Sequence, residues 1–429
     1  MKTSYITIFS IISLFTITSC VKETNSLSNK NDYLAYLTPS NSNNSYNEEL
    51  LFWNKKLDKH PDQFPYLLKI AHAENALFES TGKIEHLINA ESKLTDINKK
   101  TNYNNANYLR ALAKNYISQH KFKKALKILK KAELNGEKLT ATHKMLFDVY
   151  LELGHKTEAE EYLSKFKNFE DFDYLIRLAK WSDHEGDLDN AIQKLEMALV
   201  KAKKSNNNHL QQWSYTNLAD FYGHANDIEK SYQYYLKALK LNPNNAYAKK
   251  GIAWILYSHE NNPKEALNIL NSITKNYTSP DYFLLKAEIY EFLNNSELKK
   301  ENIDTYLELS KNPKYGNMYN KYNALLNIEE FNNFNDALET VKAEINLRPT
   351  PQSYGLLAWL HYHKGNHKEA LNIANEHVIG KTFEPETLYQ VAVILKANDF
   401  TDKTFKIKKD LMESKYELGP LMAKKVERL

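Results

Sequence analysis

Residues 215–243, YTNLADFYGHANDIEKSYQYYLKALKLNP, constrain the fold of this chain more than any other stretch. Two amphipathic segments, 215–224 and 228–241, are separated by Asn226 and Asp227, and Pro243 ends the second. Small residues stand where two adjacent helices would have to approach closely, and large residues stand around them. The small positions are Ala219, Ser231 and Ala238, and the large positions are Leu218, Tyr222 and Tyr235. The stretch therefore predicts a pair of packed antiparallel helices.

Copies of this pattern recur at intervals of 32 to 40 residues from about residue 47 to the end of the chain. Ala125 and Ala159 are 34 residues apart in the small-residue position, whereas Ala191 and Ser231 are 40 apart. We expect a polar loop at 201–208 to absorb the extra residues, since loops tolerate insertion at little entropic cost. The pattern resembles the tetratricopeptide repeat (TPR). The resemblance implies an all-α fold, an α-solenoid in which a TPR superhelix of about nine to ten helical hairpins encloses a concave face.

The composition argues against several classes of function. The chain has 429 residues with a net charge of +4, and positive and negative residues are interspersed. It therefore lacks the strong positive electrostatic field that is typical of nucleic-acid-binding proteins. Glycine and proline, at 11 each, are scarce enough to favour helices over a turn-rich β fold. The single cysteine, Cys20, excludes a disulfide framework and a thiolate metal cluster.

The N-terminus has the pattern of a targeting signal. Lys2 precedes an apolar run at 6–17, which is too short to span a bilayer as a helix but matches the core of a secretory signal. The run ends in ITSC, residues 17–20, which resembles the lipobox of bacterial lipoproteins. The resemblance implies cleavage before Cys20 and attachment there of several acyl chains, palmitate among them, which anchor a protein firmly. The alternative interpretation is an ordinary secretory signal with a chance cysteine.

The residues after Cys20 begin with Val21 and are not strongly acidic. Acidic runs at this place mark surface export in some Bacteroidetes lipoproteins, which the Asn-, Lys- and Tyr-rich composition resembles. We therefore expect lipid anchoring at the periplasmic face of an outer membrane.

Four regions follow from these features. They are a signal peptide at 1–19, a lipidated N-terminus and flexible tether at 20–46, the TPR solenoid at 47–402 and C-terminal capping helices at 403–429. The apolar patch YLAYL at 33–37 is an exception within the tether. We expect it to dock onto the solenoid, and the alternative is a partner-binding segment.

Catalytic motifs are missing from the sequence: it has no glycine-rich phosphate loop, no HExxH and no GxSxG. The one cluster of metal-binding residue types is HYHKGNH at 361–367. His361 falls where other repeats place a core tyrosine, and residues two apart on a helix point in different directions. We interpret the cluster as packing and surface residues, with His363 and His367 as the alternative metal ligands. We predict a protein that is not an enzyme and uses no cofactor.

Concave TPR faces are lined by the first helix of each hairpin, so the register predicts the groove residues. They are Arg110, Lys114, Lys144, Trp213, Asp220, Tyr319, Tyr322, Trp359, Tyr362 and Tyr389. This groove would be basic at one end and aromatic at the other, and aromatic side chains suit peptide helices or sugars. The alternative is that some of these aromatic residues fill the seams between repeats.

The resemblances together imply a bacterial TPR lipoprotein, similar to those of Bacteroidetes. Such a protein would be a membrane-anchored scaffold that binds a peptide or helix of another envelope protein in its concave groove. The partner is unidentified, and neither nucleic acid nor a small-molecule cofactor is expected. The alternative is a glycan-binding accessory lipoprotein of an outer-membrane uptake system. Relatives of that kind carry large non-TPR insertions, whereas the repeats here run almost continuously.

Overall fold

A computed structural model describes residues 27–38 and 43–429 of the chain. The predicted signal peptide and Cys20 lie outside the described residues. Within the described ranges the regular structure is helical, with no β-strand. None of the helices in this part of the chain combines the length and the apolar character needed to cross a bilayer.

Ten antiparallel helical hairpins follow one another from Tyr66 to Glu413. The first five pairs are α3 (Tyr66–Thr81) with α4 (Ile84–Lys100), α5 (Ala106–Ser118) with α6 (Phe122–Asn135), α7 (Leu139–Glu152) with α8 (Lys156–Ser164), α9 (Phe172–His184) with α10 (Leu188–Lys204), and α11 (Asn208–His224) with α12 (Ile228–Leu241). The last five are α13 (Ala246–Trp254) with α14 (Pro263–Thr274), α15 (Asp281–Phe292) with α16 (Ser296–Ser310), α17 (Asn320–Glu329) with α18 (Phe334–Leu347), α19 (Pro351–His363) with α20 (His367–His377), and α21 (Pro385–Lys396) with α22 (Thr401–Glu413). The predicted α-solenoid is confirmed.

Three further helices flank the hairpins. They are α1 (Lys30–Tyr33), α2 (Asn43–Lys59), which packs on α3, and α23 (Lys415–Glu427). Short non-α turns complete the regular structure: 3-10 turns at Leu34–Tyr36 and Pro313–Tyr315, and a π-helical turn at Ile255–His259 that extends α13.

The small residues that suggested the hairpins are buried where the paired helices touch. Ala125, Ala159 and Ala191 are completely buried, and Ser231 is buried in the same way. A longer side chain at these positions would push the helices apart, because protein interiors are close-packed. The predicted register of these hairpins is confirmed.

Local chemistry explains the turn inside the hairpin of α11 and α12. Asn226 adopts a left-handed backbone conformation (φ 59°), which asparagine tolerates better than most residues. Asp227 then caps α12, because its side chain accepts a hydrogen bond from the main-chain nitrogen of Lys230. This hairpin therefore carries its own stop and start signals.

The prediction of a polar loop at 201–208 is wrong. Helix α10 continues to Lys204 and α11 begins at Asn208, so the extra residues lengthen both helices. Ala202 is completely buried and extends the apolar stripe of α10, and Asn207 caps α11 through the nitrogen of Leu210. Lysines are good helix formers, so a run of them does not by itself indicate a loop.

Successive turns of the superhelix touch each other, and one turn takes about six hairpins. The nitrogen of Thr278, ahead of α15, donates to the carbonyl of Thr81 at 3.0 Å, so the seventh hairpin meets the first. Two further contacts join residues about one superhelical turn apart: Arg348 lies 3.5 Å from Glu152, and Phe383 packs on Gly186. The superhelix is therefore tightly wound, and successive turns support each other.

The N-terminal segment docks on the outer, convex surface, as expected for the patch at 33–37. Tyr33 is only 2% exposed and packs into the core around α12 and α14. The Ser28 nitrogen donates to Glu260, and Lys30 pairs with Glu265 at 3.0 Å. The predicted tether therefore contains a fixed segment, and α2 begins at Asn43, ahead of the predicted boundary at residue 47.

Candidate binding groove

First helices of successive hairpins touch one another and form the concave face, and α23 lies against that face. The sequence assigns α23 to a capping segment at 403–429, but the helix turns back from α22 at Ser414 and contacts first helices of four hairpins. These are α11, the π-helical end of α13, α15 and α21. The concave groove thus holds a helix of this chain itself.

Tyr416 anchors the start of α23 in the groove. Its carbonyl oxygen accepts hydrogen bonds from Trp254 Nε1 at 3.0 Å and from Ser258 Oγ at 2.6 Å. Its ring lies over Gly223 of α11, where an added Cβ would stand 2.7 Å from ring atom Cε1. Glycine at 223 therefore makes the recess that admits the ring.

Gly419 provides the closest approach of α23 to the wall. Its backbone is left-handed (φ 73°), and a Cβ there would stand 2.8 Å from the indole of Trp254 and 3.2 Å from Glu288 Oε1. Pro420 follows and begins the helical part, so Gly419 marks a kink between Lys415 and Glu427. A side chain at 419 is excluded both by conformation and by space.

Acidic side chains line the wall behind α23. Burial raises the pKa of Glu288 to about 7, and the Tyr257 hydroxyl donates to this carboxyl at 3.1 Å. Burial also raises the pKa of Glu329, and the positive charge of Lys425 on α23 opposes the shift at both acids. A carboxyl held in this way favours a basic or a hydrogen-bond-donating occupant.

One residue of α23 fits this wall poorly. The carboxylate of Glu417 is 4.0 Å from His224 Nε2, at the limit of an ion pair. Burial raises the pKa of Glu417, His224 opposes the shift, and the negative charges of Glu384 and Asp183 add to it. The sequence of α23 is therefore not the best possible ligand for the groove.

Three predicted aromatic residues meet at the late end of the groove. The rings of Trp359 and Tyr362 stack at 5.1 Å, and Tyr389 meets Trp359 edge-on at 6.2 Å. Trp359 is nearly buried and donates from Nε1 to Glu329 at 2.8 Å. Tyr362 and Tyr389, with Lys425, border an open cleft of about 370 Å³.

The histidine cluster belongs to this aromatic stack. His367 stacks on Tyr362 at 5.2 Å, and His363 meets Trp359 edge-on at 4.5 Å. Burial lowers the pKa of His361 and of His363. In the described part of the chain, no group of three or more His, Cys, Asp or Glu side chains is arranged to hold a metal ion.

The predicted basic residues of the early repeats do not form one surface. Arg110 is buried and donates to the Glu137 carbonyl and to Thr142, so it joins two neighbouring hairpins. Lys144 is paired with Asp171 at 2.9 Å, and Lys114 is exposed.

The remaining predicted residues also divide between seam and surface. Tyr319 is 8% exposed and lies within the aromatic core, whereas Tyr322 is 40% exposed. Trp213 is partly exposed and contacts the edge of Phe172. Asp220 accepts hydrogen bonds from the hydroxyls of the buried Tyr235 and the exposed Tyr247.

Sequence reasoning missed the residues that hold α23, above all Gly223, Trp254 and Ser258. One signal was available: Gly223 lies inside a helix, where glycine is unfavourable and therefore marks a close approach. The Gly419-Pro420 pair near the end of the chain indicated a kink but not its place in the groove.

A model of the tetratricopeptide repeat family matches residues 214–245. This segment is similar to a tetratricopeptide repeat. It coincides with the stretch from which the repeat pattern was recognised, and with the ten hairpins it supports a TPR protein. The search of curated proteins found no significant match.

Several solved structures are similar to this chain. A tetratricopeptide repeat protein from Parabacteroides merdae is 18% identical, with a TM-score of 0.34, and the match covers 60% of this chain and 98% of that one. Yeast Tom70 is 15% identical, with a TM-score of 0.37, and the match covers 93% and 89%. A human IFIT1 dimer with m7Gppp-AAAA is 15% identical, with a TM-score of 0.46, and the match covers 73% and 70%. Similarities at this level identify no partner.

Proposed function

We propose that this protein is a lipid-anchored TPR scaffold that binds a helical segment of another envelope protein in its concave groove. The observation that carries the proposal is the position of α23, a helix lying against the first helices of four hairpins. A groove that accepts one helix along its wall has the width and the hydrogen-bond donors to accept another.

The wall offers recognition rather than catalysis. It presents a recess at Gly223 that accepts an aromatic ring, and hydrogen-bond donors from Trp254 and Ser258 that bind a main-chain carbonyl. It also presents the acidic side chains of Glu288 and Glu329. These groups hold a peptide by shape, hydrogen bonds and charge, and large aromatic anchors commonly dominate such interfaces.

Lipid attachment at Cys20 would set the position of the solenoid relative to the membrane. Ser28 is already bound to Glu260 on the outer surface, and it follows Cys20 by eight positions. A fully extended link of this length spans about 29 Å at most. The convex side of the fifth and sixth hairpins would therefore stay close to the bilayer, with the concave face turned away from it.

Site-specific photocrosslinking in cells tests the scaffold proposal. A crosslinking residue is placed at Tyr322, which is exposed on the first helix α17, and the matched control is placed at Leu134, which is 89% exposed on the second helix α6. We expect one envelope protein to be captured from position 322 and not from 134. No protein capture specific to position 322, together with retention of the protein on a glycan array, would instead favour the sugar-binding alternative.

A further inference from the structure

We propose that α23 is an internal ligand that occupies the site of the partner helix and must leave before the partner binds. This inference rests on the proposed scaffold function and specifies the chemistry of the partner. The partner carries an aromatic residue for the recess at Gly223, a glycine at the position of Gly419, and basic residues toward its C-terminal end.

The contacts of α23 have the character of a bound peptide. Its fixed points are one aromatic ring, one main-chain carbonyl and one glycine: the ring and carbonyl of Tyr416, and Gly419 against Trp254. These three points span only four residues, and they select for residue type and backbone conformation. A short segment with the same three features satisfies the same wall.

The far end of α23 combines two buried side chains with several exposed contacts. Lys424 and Lys425 are exposed, and the Lys424 ammonium lies 4.8 Å from the centre of the Phe292 ring. Lys396 Nζ of α21 donates to the carbonyl oxygens of Arg428 and Leu429. Exposed contacts of this kind contribute little to stability, so this end of the helix is held mainly by the buried side chains of Ala423 and Val426.

Glu417 makes α23 a replaceable occupant. Its partly buried carboxylate lies 4.0 Å from His224 Nε2, and the negative charges of Glu384 and Asp183 raise its pKa. Burying a carboxylate near other acids is unfavourable. A partner with a neutral or basic side chain at this place avoids the repulsion and therefore binds the groove more favourably than α23 does. The covalent link of α23 to the groove raises its effective concentration there and offsets this difference.

Peptide binding to the full chain tests the inference. The probe is a fluorescein-labelled peptide of residues 414–429, and binding is followed by fluorescence anisotropy. The substitution Gly419→Val in the chain removes α23 from the wall, because valine fits neither the backbone conformation nor the space, while the wall itself stays intact. We expect this variant to bind the probe at least tenfold more tightly than the wild type, whose site is already filled.

Two controls assign the binding to the groove. Adding Gly223→Ala to the Gly419→Val chain fills the recess for the tyrosine ring and should abolish the gain. A probe that itself carries Gly419→Val should not bind, and a probe with Glu417→Gln should bind more tightly than the unmodified probe.

Circular dichroism establishes that the Gly419→Val chain is folded, and Tyr416→Ala in the chain serves as the second releasing variant if it is not. Equal binding of the probe by the wild type and by a folded releasing variant overturns the inference, as does a gain that Gly223→Ala leaves unchanged. These outcomes are independent of the cellular crosslinking, so the scaffold proposal and the internal-ligand proposal fail separately.

Discussion

Gly251 offers a quantitative test of how tightly the seams between the hairpins are packed. It lies in α13 against Tyr235 of α12, and an added Cβ would stand 2.1 Å from ring atom Cζ and within 2.5 Å of both Cε atoms. Ordinary contacts begin at about 3.5 Å, so the ring would have to move by more than 1 Å. The substitution Gly251→Ala should therefore destabilise the protein, although alanine is the better helix former.

The expected size follows from three contributions. Replacing glycine by alanine inside a helix favours folding by about 1 kcal/mol. Overpacking a close-packed seam costs about 1–3 kcal/mol. Moving the ring also weakens the hydrogen bond from the Tyr235 hydroxyl to the buried carboxylate of Asp220, which costs about 1–3 kcal/mol. The net loss in the free energy of unfolding is about 1–5 kcal/mol, with a midpoint of about 3 kcal/mol.

Urea unfolding monitored by circular dichroism measures this loss, and a double-mutant cycle identifies its cause. In a chain that carries Tyr235→Ala, the ring is gone, so Gly251→Ala should become neutral or stabilising. A Gly251→Ala protein as stable as the wild type would show that the seam yields and would refute the packing argument. An equal loss with and without the ring would place the strain elsewhere.

Three further predictions concern charge, docking and anchoring. Burial raises the pKa of Glu288 to about 7, so ionisation of this carboxyl opposes folding increasingly as the pH rises from about 4.5 to 7. Glu288→Gln should therefore stabilise the protein by roughly 1–3 kcal/mol at pH 8 and hardly at pH 4. Urea unfolding at the two pH values measures the effect, and an equal effect at both would contradict this. Tyr33→Ala should weaken docking of the N-terminal segment by about 3–4 kcal/mol and make the segment sensitive to limited proteolysis. Mass spectrometry of the fragments measures this, and an unchanged cleavage pattern would contradict it. Cys20→Ser should leave the protein unprocessed or soluble in cell fractionation, and continued membrane attachment would argue against lipidation.

Much of the fold was predictable because hairpins are local structures. The small residues at Ala125, Ala159 and Ser231 and the turn at Asn226-Asp227 act within about 35 residues of sequence, so their spacing reports directly on helix pairing. The failure at 201–208 has the same origin: a run of lysines is compatible with a loop or a helix, and only the burial of Ala202 decides.

The candidate site was predictable only in part. The structure brings Trp359, Tyr362 and Tyr389 together, because residues in equivalent positions of neighbouring repeats lie side by side. The register did not show that Arg110 is used inside a seam, since its partners Glu137 and Thr142 depend on how one hairpin is placed on the next.

The sequence by itself determined the all-α class, an array of about nine to ten hairpins and the close contacts inside them, because each depends on residues near one another in the chain. Only the tertiary structure decided that the seventh hairpin meets the first and that α23 returns to the groove beside Gly223. These contacts join residues nearly 200 positions apart. They follow from the accumulated curvature of the stacked repeats, to which every interface contributes a small rotation and which no single motif encodes.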